Sequence, residues 1–246
     1  MSRLKIFSIL FTLCLSSAFA QEDYEAIYDH ETLGGINFNT NAGLIGGFMV
    51  RHSIFIKDRH YHTFGAEIVN VKHPQEEREI SPVTGNTFLY GKENFLLPLR
   101  LFYGRTYVLF PKDRDEGVQV DVSFRGGPSL GFLKPYYVVY DFTDYNQANP
   151  RTQIQSVPYN HRLHSTDKIL GYGSFFAGLA GSRLIPGLHA TTSMTFSFIN
   201  MNGNVTGLEA GINVEAYPQR MNIIPFAQNR WFFSSVFINI IYGRRH

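Results

Sequence analysis

The chain predicts an all-β fold: a closed, antiparallel, up-and-down transmembrane barrel of eight strands, with ten as the alternative. Three observations lead there. Apolar and polar residues alternate over long segments, the polar face is made of small side chains, and aromatics are abundant, with 14 tyrosines and 22 phenylalanines. Alternation with period two places successive side chains on opposite faces of a strand, which a helix at 3.6 residues per turn does not do.

The clearest run is Leu188 to Phe198, where Leu188, Ala190, Thr192, Met194, Phe196 and Phe198 oppose His189, Thr191, Ser193, Thr195 and Ser197. Next, Leu208, Ala210, Ile212, Val214 and Ala216 alternate with Gly207, Glu209, Gly211, Asn213 and Glu215. Upstream, Val118, Val120, Val122 and Phe124 oppose Gln119, Asp121, Ser123 and Arg125, while Phe95, Leu97, Leu99, Leu101 and Tyr103 oppose Pro98, Arg100 and Gly104. Phe64, Ala66 and Ile68 face away from Thr63, Gly65 and Glu67, and Ile36 and Phe38 from Asn37 and Asn39. A soluble sandwich alternates too, but its polar face is the outside and is rich in charge. Gly, Ser, Thr and Asn with a few charges fit a narrow lumen, leaving the bulky apolar face for lipid.

Residues 1–20 read as a secretory signal peptide: Arg3 and Lys5, an apolar core from Ile6 to Leu15, and the small-residue site Ala18-Phe19-Ala20. Residues 21–246 then form the barrel domain, and a cell outer membrane is the expected location. Loss of Arg3 and Lys5 brings basic and acidic residues into balance, from 22 Lys+Arg against 20 Asp+Glu. A neutral surface argues against nucleic acid as a partner, since that needs concentrated positive charge. Cys14, the single cysteine, leaves with the leader, so disulfide and thiolate chemistry are excluded.

The segments read as strands are 32–40, 43–55, 61–71, 93–104, 117–133, 171–184, 188–199, 205–217 and 231–242. Nine conflicts with the even number that bacterial barrels use. Either one segment is not a strand or Gly126-Gly127-Pro128 hides a turn. Short turns are expected at Thr40-Asn41-Ala42, Lys57-Asp58-Arg59, Ile185-Pro186-Gly187 and Asn202-Gly203-Asn204, and long connections at His73 to Thr87 and Asp141 to Asp167. Pro218 to Arg230 is too long for a periplasmic turn. The last strand closes the barrel, with Tyr242 in place of a terminal aromatic.

Gly35-Ile36-Asn37-Phe38-Asn39, Phe95-Leu96-Leu97-Pro98-Leu99 and Gly127-Pro128-Ser129-Leu130-Gly131 resemble the small outer-membrane β-barrel proteins of Bacteroidota. Asn70-Val71-Lys72-His73-Pro74, Leu89-Tyr90-Gly91-Lys92 and Tyr242-Gly243-Arg244-Arg245 are similar to a porin-like subgroup of that family. The resemblance implies a barrel in the outer membrane, without assigned activity, and a place beside envelope or secretion complexes for some members.

With the polar faces inward, Glu67, Arg100, Asp121, Arg125, Glu209 and Glu215 form a lumen network. It reads either as a paired filling of a barrel too narrow to conduct or as a selective path for a solute or proton. A catalytic reading needs a nucleophile, a histidine and an acid in contact. His189 with Ser193 or Ser197 shares a strand face but is too far apart along it, and no G-x-S-x-G or H-E-x-x-H pattern occurs. His60-x-His62 is a weak metal spacing. The expected role is therefore non-enzymatic anchoring or docking, without metal or cofactor. The alternatives are a lipid- or peptide-modifying barrel enzyme and a small-solute channel. Lys72, His73 and Arg78 in one charged loop, and Tyr159, His161, Arg162 and His164 in the stretch Tyr145 to Ser165, are candidate contacts to lipopolysaccharide or an envelope protein.

Overall fold

A computed structural model of the chain describes residues 28–111, 117–199 and 203–246, with the side chains of 43 and 44 excepted. The expected leader and Cys14 lie outside the described residues. Eight strands close a barrel: β1 (His30–Asn39), β2 (Gly43–Lys57), β3 (His60–Val69), β6 (Asn94–Phe110), β7 (Gln119–Pro135), β11 (Arg183–Ile199), β12 (Asn204–Ala216) and β13 (Phe232–Arg245). The order around the wall is β1-β13-β12-β11-β7-β6-β3-β2, every pair antiparallel. β13 pairs with both β12 and β1, so no strand edge is left open. Five shorter strands build a cap outside the barrel: the hairpin β4 (Glu77–Ile80) and β5 (Thr87–Tyr90), and the sheet of β8 (Tyr137–Asp141), β9 (Ile154–Pro158) and β10 (Ile169–Tyr172) in the order β10-β8-β9.

The alternation sorts side chains as the sequence predicts. Met194, Phe196, Ile212, Val214, Ile238 and Ile240 are exposed on the outer face, while Ser193, Thr195, Glu209, Asn213 and Asn239 are buried inside. Phe48, Phe124 and Leu188 are each more than half exposed, at 59%, 65% and 69%. A surface of bulky apolar residues around a polar interior inverts the soluble pattern and matches a wall that meets hydrocarbon.

The ninth segment, 171–184, is no barrel strand. Its first part completes β10, a short 3-10 turn at Leu179–Gly181 follows, and Arg183 begins β11. Two expected turns are also corrected. Gly126-Gly127-Pro128 lies within the continuous β7, and Ile185-Pro186-Gly187 within β11. Proline lacks an N–H and survives in a sheet only where no partner needs one. Pro186 satisfies this because β12 pairs with β11 only from Leu188 onward. Pro98 does so because β3 pairs with β6 only from Leu99 onward. Opposite Pro128 the ladder between β6 and β7 passes from Arg100↔Ser129 to Tyr103↔Gly126, skipping two residues in unchanged register. Gly127 belongs there because a Cβ would sit 2.1 Å from the Leu101 carbonyl oxygen.

Both ends of the described chain lie at one rim, where the Asp29 and His30 amides donate to the His246 carbonyl at 3.0 Å. The tight turn at Asp58, with φ of 52°, is at this terminal end, as is Gly203 at φ 76°. The turn at Thr40-Asn41-Ala42 and the three long connections are at the other, loop end. This places Pro218 to Arg230 away from the periplasmic-type turns. Its length has a cause: the segment folds back into the mouth. Met221, Ile223 and Ile224 are buried against Val69, Val71, Leu96, Leu133, Ile185 and Tyr217.

Candidate functional site

The lumen is filled in three layers. Below the apolar stopper, four arginines and five carboxylates are spread from the loop end through the middle to the terminal end, all of them buried or nearly so. Arg100 reaches Glu215 at 2.8 Å and Glu67 at 3.4 Å. Arg125 pairs with Glu209, which also accepts from Ser193 at 2.6 Å and Asn239 at 3.0 Å. Arg51 lies 3.5 Å from Glu209 and 3.9 Å from Glu31. Arg245 donates to Glu31 at 2.7 Å and to Gln119 at 3.0 Å, and Gln119 passes its own amide to Asp121 at 2.7 Å. Charges in a low-dielectric space survive only when paired, and an eight-stranded wall leaves room for side chains alone.

All six lumen residues expected from sequence face inward and belong to one connected network. Glu67, Arg100 and Glu215 gather towards the loop end and Arg125 meets Glu209 in the middle, with Asn37 bridging the two groups by donating to Glu67 at 2.9 Å and to Asn239 at 2.8 Å. Asp121 connects through Gln119, Arg245, Glu31 and Arg51 to Glu209. Arg51, Glu31 and Arg245 went unread. Arg51 sits on the interior side of β2 with Met49 and Ser53, and odd-position parity along 47–53 would have found it. Arg245 resembles a solvated tail in sequence, yet it stays paired inside and lies 4.0 Å over the Tyr28 ring. Tyr28 stacks on Tyr61 at 4.7 Å, and Leu33, Met49, Val205 and Ile241 pack nearby, so the terminal end is stoppered as well.

Among the described residues no group of three or more His, Cys, Asp or Glu side chains could hold a metal. His189 is buried in the wall, and the Ser193 hydroxyl four residues on is engaged by Glu209 and by Ser123 at 2.7 Å. His62 meets the Tyr103 hydroxyl at 2.6 Å on the outer face.

Two candidate loop contacts are corrected. His73 is buried at the base of its loop, its Nδ1 accepting from the Gln75 amide at 3.2 Å and its Nε2 facing the Gln228 carbonyl at 3.4 Å. Tyr159 is buried in the cap with Phe88, Tyr136, Val138, Tyr140 and Ile169. His161 lies 3.6 Å from Glu93 and packs edge-on to Phe226, and His164 packs against Tyr140. Arg78 and Arg162 are exposed and Lys72 is partly so. Sequence spacing identified the loops but not their packing, because an aromatic or imidazole in a loop is equally able to form a small core.

The cap is a joined structure. The Glu93 amide donates to the Ile223 carbonyl, the Tyr136 amide to the Glu93 carbonyl and the Tyr159 amide to the Tyr136 carbonyl, which ties the three long connections together. Lys92 is buried against Glu76 at 2.6 Å, and burial pushes its ammonium below the ordinary lysine value while Glu76 opposes the shift. Farther out, hydrogen bonds from Thr143 and Tyr145 hold the Asp141 carboxyl below its ordinary value of 3.8. The Thr143 amide donates to Asp141 at 2.9 Å and the Tyr145 hydroxyl at 2.7 Å. A depressed folded value means that this turn gains stability above pH 3.8 and loses it as pH falls through the folded value. The Thr143 amide proton shift is expected to titrate with a midpoint below 3.8, and Asp141→Asn to abolish the titration. A midpoint at or above 3.8 refutes the arrangement.

The class this geometry defines is the closed eight-stranded antiparallel barrel of the outer-membrane type, with a charge-filled lumen. No protein-family model matches the chain, and no curated protein matches it. Among solved structures it is similar to Neisserial surface protein A (NspA), at 10% identity and a TM-score of 0.38, over 88% of this chain and 96% of that one.

Proposed function

We propose that the chain is an integral protein of a bacterial outer membrane whose barrel is an anchor rather than a conduit. It holds a preformed cap on the cell surface to dock an envelope or secretion partner among lipopolysaccharide headgroups. The single observation carrying this reading is the sealed lumen: Met221, Ile223 and Ile224 stopper one end, Tyr28, Tyr61 and Val108 the other, and paired charges fill the space between. A barrel of this size conducts only if water threads it. The apolar outer face supports the membrane location, and the packed cap supports docking, since an ordered surface loses less freedom on binding. The non-enzymatic role and the place among the barrels of Bacteroidota rest on the sequence motifs already described.

Location and orientation are tested together on intact cells. A single cysteine at Thr152, in the cap, is expected to react with a membrane-impermeant maleimide. One at Asp58, in a turn at the terminal end, should react only after the outer membrane is opened. Labelling of both in intact cells, or of neither, defeats the proposed placement. The seal is tested separately in planar bilayers, where the purified protein should carry no steady unitary current. Sustained current at neutral pH would move the reading to the channel.

A further inference from the structure

β6, β7 and β11 rise above the rest of the wall, and the cap leans on that high side. Between the upper ends of β6 and β7, the β4–β5 hairpin and the segment after β10 lies a cleft of 350 Å³. Six aromatic rings line it, Phe88, Phe95, Tyr136, Tyr137, Tyr172 and Phe175. Phe95 stands edge-on to both Tyr136, at 5.5 Å, and Phe175, at 5.8 Å. The volume is at the small end for ligand pockets, and an apolar wall with few polar groups is their usual makeup.

The polar group is Lys134. Its side chain is almost wholly buried, at 1% exposure, and lines the cleft. The ammonium donates to the Phe175 carbonyl at 2.7 Å and the Ala177 carbonyl at 3.3 Å, and lies between the rings of Phe95, at 4.8 Å, and Phe175, at 4.7 Å. Among the described residues it forms no ion pair. Lys92 makes the contrast: it sits 4.2 Å from the same Phe95 ring, but Glu76 neutralises it. Arg78 also lines the cleft, without an ion pair among the described residues. A buried cation with no anion is costly unless something supplies the charge.

We propose that this cleft binds an apolar monocarboxylate, with a flat aromatic acid as the best fit. The carboxylate would take the ammonium donor that the two carbonyls leave over, and the rings would stack on the acid's apolar body. Six aromatic rings around one buried ammonium, in a cleft of 350 Å³, favour an acid with a large apolar body over a small inorganic anion.

The test uses the full chain in lipid nanodiscs, with 2-naphthoate as probe and 2-naphthylmethanol as its uncharged counterpart, each measured against empty nanodiscs by ligand-observed saturation-transfer NMR. The acid is expected to bind saturably and at least about tenfold tighter than the alcohol. Lys134→Met, which keeps the side chain's bulk, should bring the two to parity. Equal affinity of acid and alcohol for the unaltered protein overturns the proposal, as does the absence of saturable binding. Undiminished acid binding by a Lys134→Met protein that still shows the heat-modifiable gel migration of a closed barrel overturns it equally. Should that variant fail to fold, the acid-alcohol comparison on the unaltered protein decides alone.

Discussion

Glu209→Leu is expected to cost about 3–5 kcal/mol, the usual loss when one partner of a buried charge pair is removed. Glu209 is fully buried and lies between two guanidinium groups, paired with Arg125 and 3.5 Å from Arg51. Removing it strands Arg125, leaves Arg51 with only Glu31 at 3.9 Å, and deprives Ser193 and Asn239 of an acceptor. The cost arises from the cations left behind, so replacing all three charges tests the cause. Glu209→Leu with Arg51→Met and Arg125→Met should recover most of the loss, because a buried ion cluster and an apolar filling of similar volume are close in free energy. Urea unfolding in lipid vesicles, followed by the loss of heat-modifiable migration, measures both. A loss under about 1 kcal/mol for the single variant contradicts the account, since that is the range of an exposed pair.

Ile238→Arg is expected to cost about 2–4 kcal/mol, the penalty for a basic side chain facing lipid at the bilayer midplane. Ile238 lies halfway along β13 and is 50% exposed, opposite Phe38 on one neighbour and Ala210 on the other. The structure also ranks a second position. Val214 faces outward too, but two residues from the end of β12, where a charge can reach the interface. Val214→Arg should therefore cost less, about 0–1 kcal/mol, and Asn213→Ser, inside the wall beside Thr191, should be mild. A cysteine at Ile238 distinguishes lipid from protein contact directly. It should react with a lipid-soluble maleimide and resist a water-soluble one, and protection from both would mean that the face is packed against protein.

The wall was legible because strand periodicity is local. The faces of 188–198 and 207–216 follow from alternation alone, and so do the inward positions of Glu67, Arg100, Asp121, Arg125, Glu209 and Glu215. The strand count was harder for an equally physical reason. Pro186 and Gly187 carry the residues of a turn, and only the absence of β12 beside them shows that no N–H is required there. Gly126-Gly127-Pro128 misleads in the same way, because a gap in the neighbouring ladder is invisible along one strand.

Alternation and composition in the sequence by themselves determined an all-β wall, an apolar outer face and a polar lumen, since each depends on residues one or two positions apart. The tertiary structure alone decided which charges meet, such as Arg245 with Glu31 and Arg51 with Glu209. It also decided that the loop around Met221, Ile223 and Ile224 folds inward, and that His73 and Tyr159 are core rather than contact. Those outcomes depend on register around a closed ring and on loops packing against one another, so the deciding neighbours are up to hundreds of residues apart, as Glu31 and Arg245 are.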